Sequence, residues 1–193
     1  MQYGGLFYKL TNNKEIHNKA LAAFWGSEEN YGGYLLEEEL IEYIKNNFNE
    51  NALILDVGAE YGRLQDLLKY NNVEAIEINT AQLENLNDKY KVVYPIDIRD
   101  FKSDKQYDLI VIADVLEHFS LEDAQNLLKY FKTIGKNIIC IIPYMYVQDG
   151  CDNPYDVHIQ YDLTAENVKQ RYPELKLIKG NQLKGMYVLN INN

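Results

Sequence analysis

The stretch that decides the fold is Ala52-Leu53-Ile54-Leu55-Asp56-Val57-Gly58-Ala59-Glu60-Tyr61-Gly62-Arg63-Leu64. Apolar residues precede an acidic one, two glycines shape a tight turn, and a helical pattern begins after the second glycine. This order is typical of the strand, turn and helix that bind a nucleotide at the edge of a parallel sheet. One residue departs from the usual pattern, because Glu60 stands where such turns commonly keep another glycine.

The composition predicts one soluble domain over residues 1–193. The chain has 193 residues, of which 47% are hydrophobic, so it has enough apolar side chains to build a full core. Its net charge is −10, which argues against binding to nucleic acids or anionic membranes through excess basic charge. Neither a signal-peptide pattern nor an apolar run of membrane-spanning length is present, so we expect a cytoplasmic protein.

The cysteine content argues against a metal centre. Two cysteines, Cys140 and Cys151, are too few for a disulfide framework or a zinc site, and no metal is expected. Cys140 lies in an apolar run and is predicted to be a small core residue.

Strands alternate with helices or polar loops through the middle of the chain. An amphipathic helix is predicted at 35–46, and strands are predicted at 52–56, 73–78, 92–96, 109–113 and 137–143. This alternation predicts a parallel sheet with helices on both faces and all strand ends on one edge. Two further strands at 175–178 and 186–191 have no helix between them, so they must pair antiparallel.

The resulting fold class is α/β: a Rossmann-like, doubly wound, mostly parallel seven-stranded sheet with a reversed C-terminal strand. We expect three segments within it. Residues 1–47 form an N-terminal helical or lid segment, 48–143 the cofactor-binding core, and 144–193 a substrate loop followed by antiparallel strands. The loop at 144–160 is long, and loops of that length are uncommon unless they are functional.

Acidic residues stand at or just after the ends of the first four strands. They are Asp56, Glu77, Asp97 and Asp114. Glu77 follows Gly58 by 19 positions, where a carboxylate accepts two hydrogen bonds from a ribose diol. Taken alone, each acidic residue has a simpler interpretation as a helix cap. Their occurrence at four successive strand ends favours a nucleoside-binding edge.

These segments resemble the motifs of class I S-adenosylmethionine-dependent methyltransferases. Residues 55–62 (LDVGAEYG) are similar to the family's first motif, and 75–79 (AIEIN) to the second, with Glu77 at the ribose-binding position. Residues 96–101 (IDIRDF) are similar to the third motif, and 107–119 (YDLIVIADVLEHF) to the segment with Leu-Glu-His found in small-substrate members. The resemblance covers about residues 48–193.

The resemblance implies S-adenosylmethionine as cofactor and S-adenosylhomocysteine as product. The residues expected to bind the cofactor are Asp56, Gly58, Ala59, Glu60, Gly62, Glu77, Ile78, Asp97, Ile98 and Asp114. Glu60 replaces a family glycine that lets the backbone approach the methionine part of the cofactor. Its carboxylate either repels the cofactor's own carboxylate, turns outward, or meets the cofactor's ammonium group.

Two histidines are candidate bases for an acceptor that must lose a proton. His158, in the long loop, is the first candidate and His118, after the fourth strand, the second, because imidazole titrates near neutral pH. Each has a simpler interpretation, as a loop-bracing or helix-start residue. Candidate walls of the acceptor pocket are Tyr31, Tyr144, Tyr146 and Tyr155, and Trp25 joins Tyr31 as a candidate lid.

The acceptor is expected to be a small molecule or peptide-like group rather than nucleic acid. The chain lacks the Asn-Pro-Pro-Tyr segment that amino-methylating members carry after the fourth strand. Its net charge of −10 also disfavours a nucleic-acid acceptor. A non-catalytic binding module with a degenerate glycine loop is the main alternative. A nicotinamide dehydrogenase is disfavoured, because Gly-x-Gly-x-x-Gly is absent. The sequence leaves a monomer and a homodimer equally open.

Overall fold

A computed structural model describes residues 32–146, 155 and 157–190. The predictions made for residues 1–31, including the lid residues Trp25 and Tyr31, lie outside the described residues. Cys151 and most of the loop at 147–156 lie outside them as well.

Seven strands and five α-helices make up the described part of the chain. The strands are β1 (Ile54–Val57), β2 (Val73–Ile76), β3 (Val92–Tyr94), β4 (Leu109–Ala113), β5 (Asn137–Pro143), β6 (Lys176–Gly180) and β7 (Lys184–Asn190). The helices are α1 (Gly32–Asn47), α2 (Arg63–Leu68), α3 (Leu83–Asn87), α4 (Leu121–Ile134) and α5 (Ala165–Arg171). Short 3₁₀ turns occupy Thr80–Gln82, Ile98–Asp100 and Leu116–His118.

The strands form a single sheet in the order β3-β2-β1-β4-β5-β7-β6. β1 to β5 are parallel to their neighbours, whereas β7 runs antiparallel to both β5 and β6. This arrangement confirms the predicted mostly parallel sheet with a reversed C-terminal strand. The strand order reverses between β1 and β4, where ligands bind in open α/β sheets.

Helices cover both faces of the sheet because alternate strand residues point to opposite sides. On one face the apolar stripe Leu36, Leu40 and Ile44 of α1 belongs to a buried cluster with Ile54. On the other face α4 contributes Phe131 to a cluster that includes Leu55, Ile110 and other alternate strand residues. The predicted core residue Cys140 is fully buried in this second cluster.

Helix capping follows the sequence signals closely. The Ser120 hydroxyl accepts the N–H of Asp123 at the start of α4, and Gly135 ends that helix, both as predicted. The Thr164 side chain caps α5 in the same way. Within the described ranges, no helix combines the length and apolar character needed to cross a bilayer.

Two strands end earlier than predicted, and the reason lies in their acidic end residues. β2 ends at Ile76 rather than Ile78, because the Glu77 carboxylate accepts the N–H of Asn79 and turns the chain. β3 ends at Tyr94 rather than Ile96, and Asp97 then caps a 3₁₀ turn. The carboxylates of Glu77 and Asp97 therefore end the two strands, and they also line the cavity at this edge of the sheet.

Candidate active site

The loop between β1 and α2 is built on left-handed backbone conformations. Gly58, Glu60 and Gly62 have φ values of +74°, +47° and +78°. A Cβ on Gly58 would lie 2.6 Å from Cγ2 of Val115, so this turn requires glycine on steric as well as conformational grounds. Glu60 holds a conformation that costs a non-glycine residue roughly 1–2 kcal/mol.

Glu77 holds the glycine loop against the end of β2. One of its carboxylate oxygens accepts the N–H of Glu60 at 2.8 Å, and the other accepts the N–H of Asn79 at 2.7 Å. The side chain is buried but reaches the cavity beside the loop. Since each carboxylate oxygen has two lone-pair directions, Glu77 can brace the loop and still accept hydrogen bonds from a ligand.

Asp56 is buried at the end of β1 and accepts a hydrogen bond from the Tyr90 hydroxyl. Burial raises the pKa of Asp56 to about 7, and the neighbouring Glu77 charge adds to the rise, whereas the Tyr90 hydrogen bond opposes it. This tyrosine was not predicted as a site residue. It follows α3 and lies 34 positions from Asp56, so its partner is visible only in the folded chain.

Asp97 has both oxygens engaged by Arg99. Arg99 donates from its backbone N–H and its guanidinium, at 2.9 Å and 2.6 Å, and this pairing lowers the pKa of Asp97. The carboxylate therefore orients the loop after β3. The buried Ile98 offers the apolar surface at this point.

Asp114 follows β4 directly and has a left-handed conformation, with a φ of +52°. Its carboxylate accepts a hydrogen bond from the Lys184 ammonium group at 2.6 Å, which joins the end of β4 to the start of the reversed strand β7. Lys184 was not predicted as a site residue, because its partner lies 70 positions away in the sequence.

The two candidate bases lie against each other. The rings of His118 and His158 are 4.6 Å apart between centroids and nearly perpendicular. His118 is half-buried, whereas His158 is 8% exposed, and burial together with the neighbouring imidazole lowers the pKa of His158 to about 4. Glu117 lies beside them, fully buried, and was not among the predicted site residues.

Gln160 fixes the backbone around this corner. Its side-chain amide donates to the carbonyls of Leu116 and Phe119, and its backbone N–H donates to the carbonyl of Glu117 at 2.9 Å. These hydrogen bonds join the turn before α4, which carries His118, to the chain after the long loop, which carries His158. Gln160 was not identified from the sequence.

One cavity of about 1270 Å³ runs along this edge of the sheet. Of the sequence-predicted residues that the structure describes, all but Gly62 line it: Asp56, Gly58, Ala59, Glu60, Glu77, Ile78, Asp97, Ile98, Asp114, His118, Tyr144, Tyr146, Tyr155 and His158. Gly62 instead begins α2 as its N-terminal cap residue. Tyr31, the fourth predicted pocket tyrosine, lies outside the described residues.

Comparison with known proteins agrees with this geometry. Residues 29–142 match the family model for a methyltransferase domain. The chain belongs to the S-adenosylmethionine-dependent methyltransferase family. The ubiquinone biosynthesis O-methyltransferase of Rickettsia bellii is 31% identical over 150 residues, which cover 68% of this chain and 62% of that protein. The methyltransferase chain thus spans less than two thirds of that relative's length.

Solved methyltransferase structures share the fold. Magnesium protoporphyrin IX methyltransferase from Synechocystis, with S-adenosylmethionine bound, superposes with a TM-score of 0.62 at 11% identity, over 95% of this chain and 94% of that one. An S-adenosylmethionine-dependent methyltransferase from Clostridium acetobutylicum superposes at 0.60 and 14% identity, over 81% and 91%. At these sequence identities the structural similarity establishes the fold of this methyltransferase domain.

The cavity of this methyltransferase fits the family's cofactor in charge and donor chemistry. Its lining carries the carboxylates of Glu60 and Glu77 near the glycine loop. Such a lining attracts a cationic sulfonium and repels the pyrophosphate of a dinucleotide. The bridging carboxylate of Glu77 suits a ribose diol, and Ile98 suits an adenine face. The residues present therefore fit S-adenosylmethionine.

Proposed function

We propose that the chain transfers a methyl group from S-adenosylmethionine to a hydroxyl oxygen of a small acceptor. The observation that supports this proposal is one cavity in which the predicted cofactor residues meet the tyrosines and histidines of the later loops. The Rickettsia bellii relative is named an O-methyltransferase, which supports oxygen as the accepting atom. A peptide-like acceptor stays the alternative within the same reaction class.

The cofactor part of the cavity positions the donor. S-adenosylmethionine supplies an activated methyl group when it is bound. In this proposal Glu77 accepts hydrogen bonds from the ribose hydroxyls while it continues to hold the backbone of Glu60 and Asn79. Ile98 packs against adenine, and Asp97, held by Arg99, keeps that loop in place. Asp56 lies next to the loop, at the end of β1, and is held there by the hydrogen bond from the Tyr90 hydroxyl.

The acceptor part of the cavity aligns the acceptor hydroxyl and lets its proton leave. Methyl transfer is an in-line displacement, so alignment of the hydroxyl with the sulfonium accounts for most of what the residues must do. Tyr144, Tyr146 and Tyr155 form aromatic walls that suit a flat acceptor. The hydroxyl proton leaves at the corner formed by His118 and His158.

Calorimetric titration with S-adenosylmethionine, S-adenosylhomocysteine and NAD tests the proposal. We expect both adenosyl compounds to bind and NAD not to bind, followed by methylated product in a screen of phenols, catechols and short peptides. Binding of neither adenosyl compound would exclude the proposed function.

A non-catalytic binding module is the second candidate. It is favoured by Glu60, which occupies a left-handed position in the loop where the family has glycine. Tight adenosyl binding with no methylated product across the acceptor screen would support it over the enzyme.

A further inference from the structure

Three ligand-type side chains converge at the acceptor end of the cavity. Glu117, His118 and His158 each offer an atom that lies within 4.8 Å of those offered by the other two. Glu117 and His118 lie in the 3₁₀ turn after β4, and His158 comes from the chain after the long loop. The fold, and not the sequence spacing, brings them together.

Both histidines are held in the same tautomer by backbone carbonyls. Nδ1 of His118 lies 3.2 Å from the carbonyl oxygen of Val157, and Nδ1 of His158 lies 3.0 Å from that of Tyr146. A carbonyl oxygen only accepts, so each Nδ1 carries the hydrogen and each neutral ring presents a lone pair at Nε2. Backbone carbonyls orient metal-binding histidines in this way.

Glu117 is the unexplained member of the cluster. Its side chain is fully buried and lines the cavity, and neither carboxylate oxygen has a hydrogen-bond partner among the residues that the structure describes. Its Oε1 lies 3.9 Å from Nε2 of His158. A carboxylate and two imidazole lone pairs therefore meet where no described group donates a hydrogen bond. A buried acceptor set of this kind requires a cation or a proton.

The neighbouring acidic residue does not belong to the cluster. Asp114 is a further carboxylate that lines the cavity, and the Lys184 ammonium group neutralises it at 2.6 Å. Lys184 thus pairs with Asp114 and does not supply the missing partner of Glu117.

We propose that Glu117, His118 and His158 bind a divalent transition-metal ion, with Zn²⁺ as the reference ion. Two imidazoles and one carboxylate, with a further position open to the cavity, form the ligand set of catalytic zinc sites. The proposal replaces the expectation, drawn from the cysteine count, that the chain holds no metal.

The role of the ion rests on the proposed function. The acceptor hydroxyl would occupy the open position, and the bound cation would lower its pKa so that the proton leaves to water. The oxygen then forms a bond to the methyl carbon, the bond from sulfur to that carbon breaks, and its electron pair stays on sulfur. With the ion bound, His118 and His158 act as ligands and not as proton acceptors, so the route of the proton differs from that proposed above for the metal-free chain.

Zinc titration of the chelator-treated full chain tests the site. By calorimetry we expect one tight Zn²⁺ site per chain, with affinity reduced by about 100-fold or more in Glu117→Gln and in His158→Gln. Co²⁺ should give the visible absorption of a low-symmetry site in the parent protein and not in these variants. Glu174→Gln, which removes an exposed carboxylate paired with Lys132, is the matched control and should keep Zn²⁺ affinity within about threefold.

Glu117→Gln also distinguishes the loss of a metal-binding side chain from unfolding of the chain. Without metal it should unfold at the same or a higher temperature than the parent, because it removes a buried unpaired carboxylate. Added Zn²⁺ should stabilise the parent and not this variant. Absence of a tight Zn²⁺ site in the parent, or Zn²⁺ affinity in the Glu117 and His158 variants equal to that of the parent, would overturn the proposal.

S-adenosylhomocysteine titration of the metal-free chain keeps the two proposals apart. Cofactor binding without a zinc site removes the metal proposal alone. Failure of S-adenosylhomocysteine to bind removes the proposed function. The zinc titration then still decides whether the metal site exists.

Discussion

Gly58 turns the chain at the end of β1, and its φ of +74° together with the 2.6 Å approach to Val115 excludes a side chain. Gly58→Ala should lower the free energy of unfolding by about 2–4 kcal/mol and weaken S-adenosylhomocysteine binding. Urea denaturation and calorimetry measure the two effects. Gly180→Ala, on an exposed strand, is the control: its Cβ would lie 3.3 Å from the Lys184 carbonyl oxygen, a milder contact, and it should cost about 1 kcal/mol or less. Equal losses in both variants would contradict the steric argument.

Glu60 occupies the same loop, and its carboxylate faces a ligand that carries a carboxylate of its own in the proposed complex. Glu60→Gln should raise affinity for S-adenosylhomocysteine about fivefold, since two like charges about 4 Å apart in water repel by about 1 kcal/mol. Glu60→Gly should add a gain in stability from relief of the left-handed conformation. Calorimetry with 5′-methylthioadenosine, which lacks the amino-acid part, is the control. Equal gains for both ligands would contradict charge repulsion.

The raised pKa of Asp56 should make the stability of the folded chain depend on pH. Its pKa is raised to about 7 in the folded chain, against about 4 when unfolded, so the folded state holds this proton more tightly. The stability from Asp56 is therefore complete below about pH 4 and is lost as pH rises through about 7. In Asp56→Asn the amide oxygen still accepts from Tyr90 but does not titrate. Between pH 4 and 8, parent stability should fall relative to the variant by up to about 4 kcal/mol in urea denaturation. Parallel pH profiles would contradict the assignment.

At the scale of elements, a buried carboxylate joins three segments of the sheet. Glu74 of β2 accepts hydrogen bonds from Lys105 at 2.7 Å, from Tyr107 at 2.8 Å and from Tyr94 at 3.0 Å. Burial alone would raise the pKa of Glu74, but these donors outweigh it and the pKa is lowered. The cluster links β2 to β3 and to the chain that enters β4.

Loss of the Lys105 ammonium group should destabilise this junction. Lys105→Met is expected to lower the free energy of unfolding by about 2 kcal/mol, because a buried carboxylate loses its charged donor. Replacing both Glu74 and Lys105 by Met should recover part of that loss. Lys132→Met, which removes an exposed pair with Glu174, is the control and should cost about 0.5 kcal/mol or less. Urea denaturation that gives equal losses for the two lysines would contradict the interpretation.

The elements themselves were largely predictable because their signals are local. β4 and β5 have the predicted bounds, since both are continuous apolar runs buried on both faces. Ser120 and Gly135 delimit α4 as their residue types predict. The ends of β2 and β3 were predicted two residues too late, because a side-chain carboxylate, and not a change in hydrophobicity, ends those strands.

At the scale of the whole molecule, the predictable part of the site is the part made by strand ends. Parallel strands bring Asp56, Glu77, Asp97 and Asp114 to one edge whatever the details of packing. Glu117 and Lys184 were not predicted, because their roles depend on partners that packing brings close from distant segments, His158 and Asp114. Sequence spacing holds no signal for such contacts, and the acceptor end of the cavity is built mainly from them.

The shared edge predicts where cofactor binding will slow hydrogen exchange. S-adenosylhomocysteine should protect amides at 57–62, 77–79 and 97–99, because ligand contacts oppose the local openings through which loop amides exchange. Strand β6, at the far edge of the sheet, should keep its exchange rates and is the internal control. NAD at the same concentration is the ligand control and should protect none of these segments. Peptide-resolved mass spectrometry measures each segment separately. Protection confined to 57–62 would contradict a nucleoside laid across three successive strand ends, and uniform protection that includes β6 would indicate general stabilisation instead of binding at this edge.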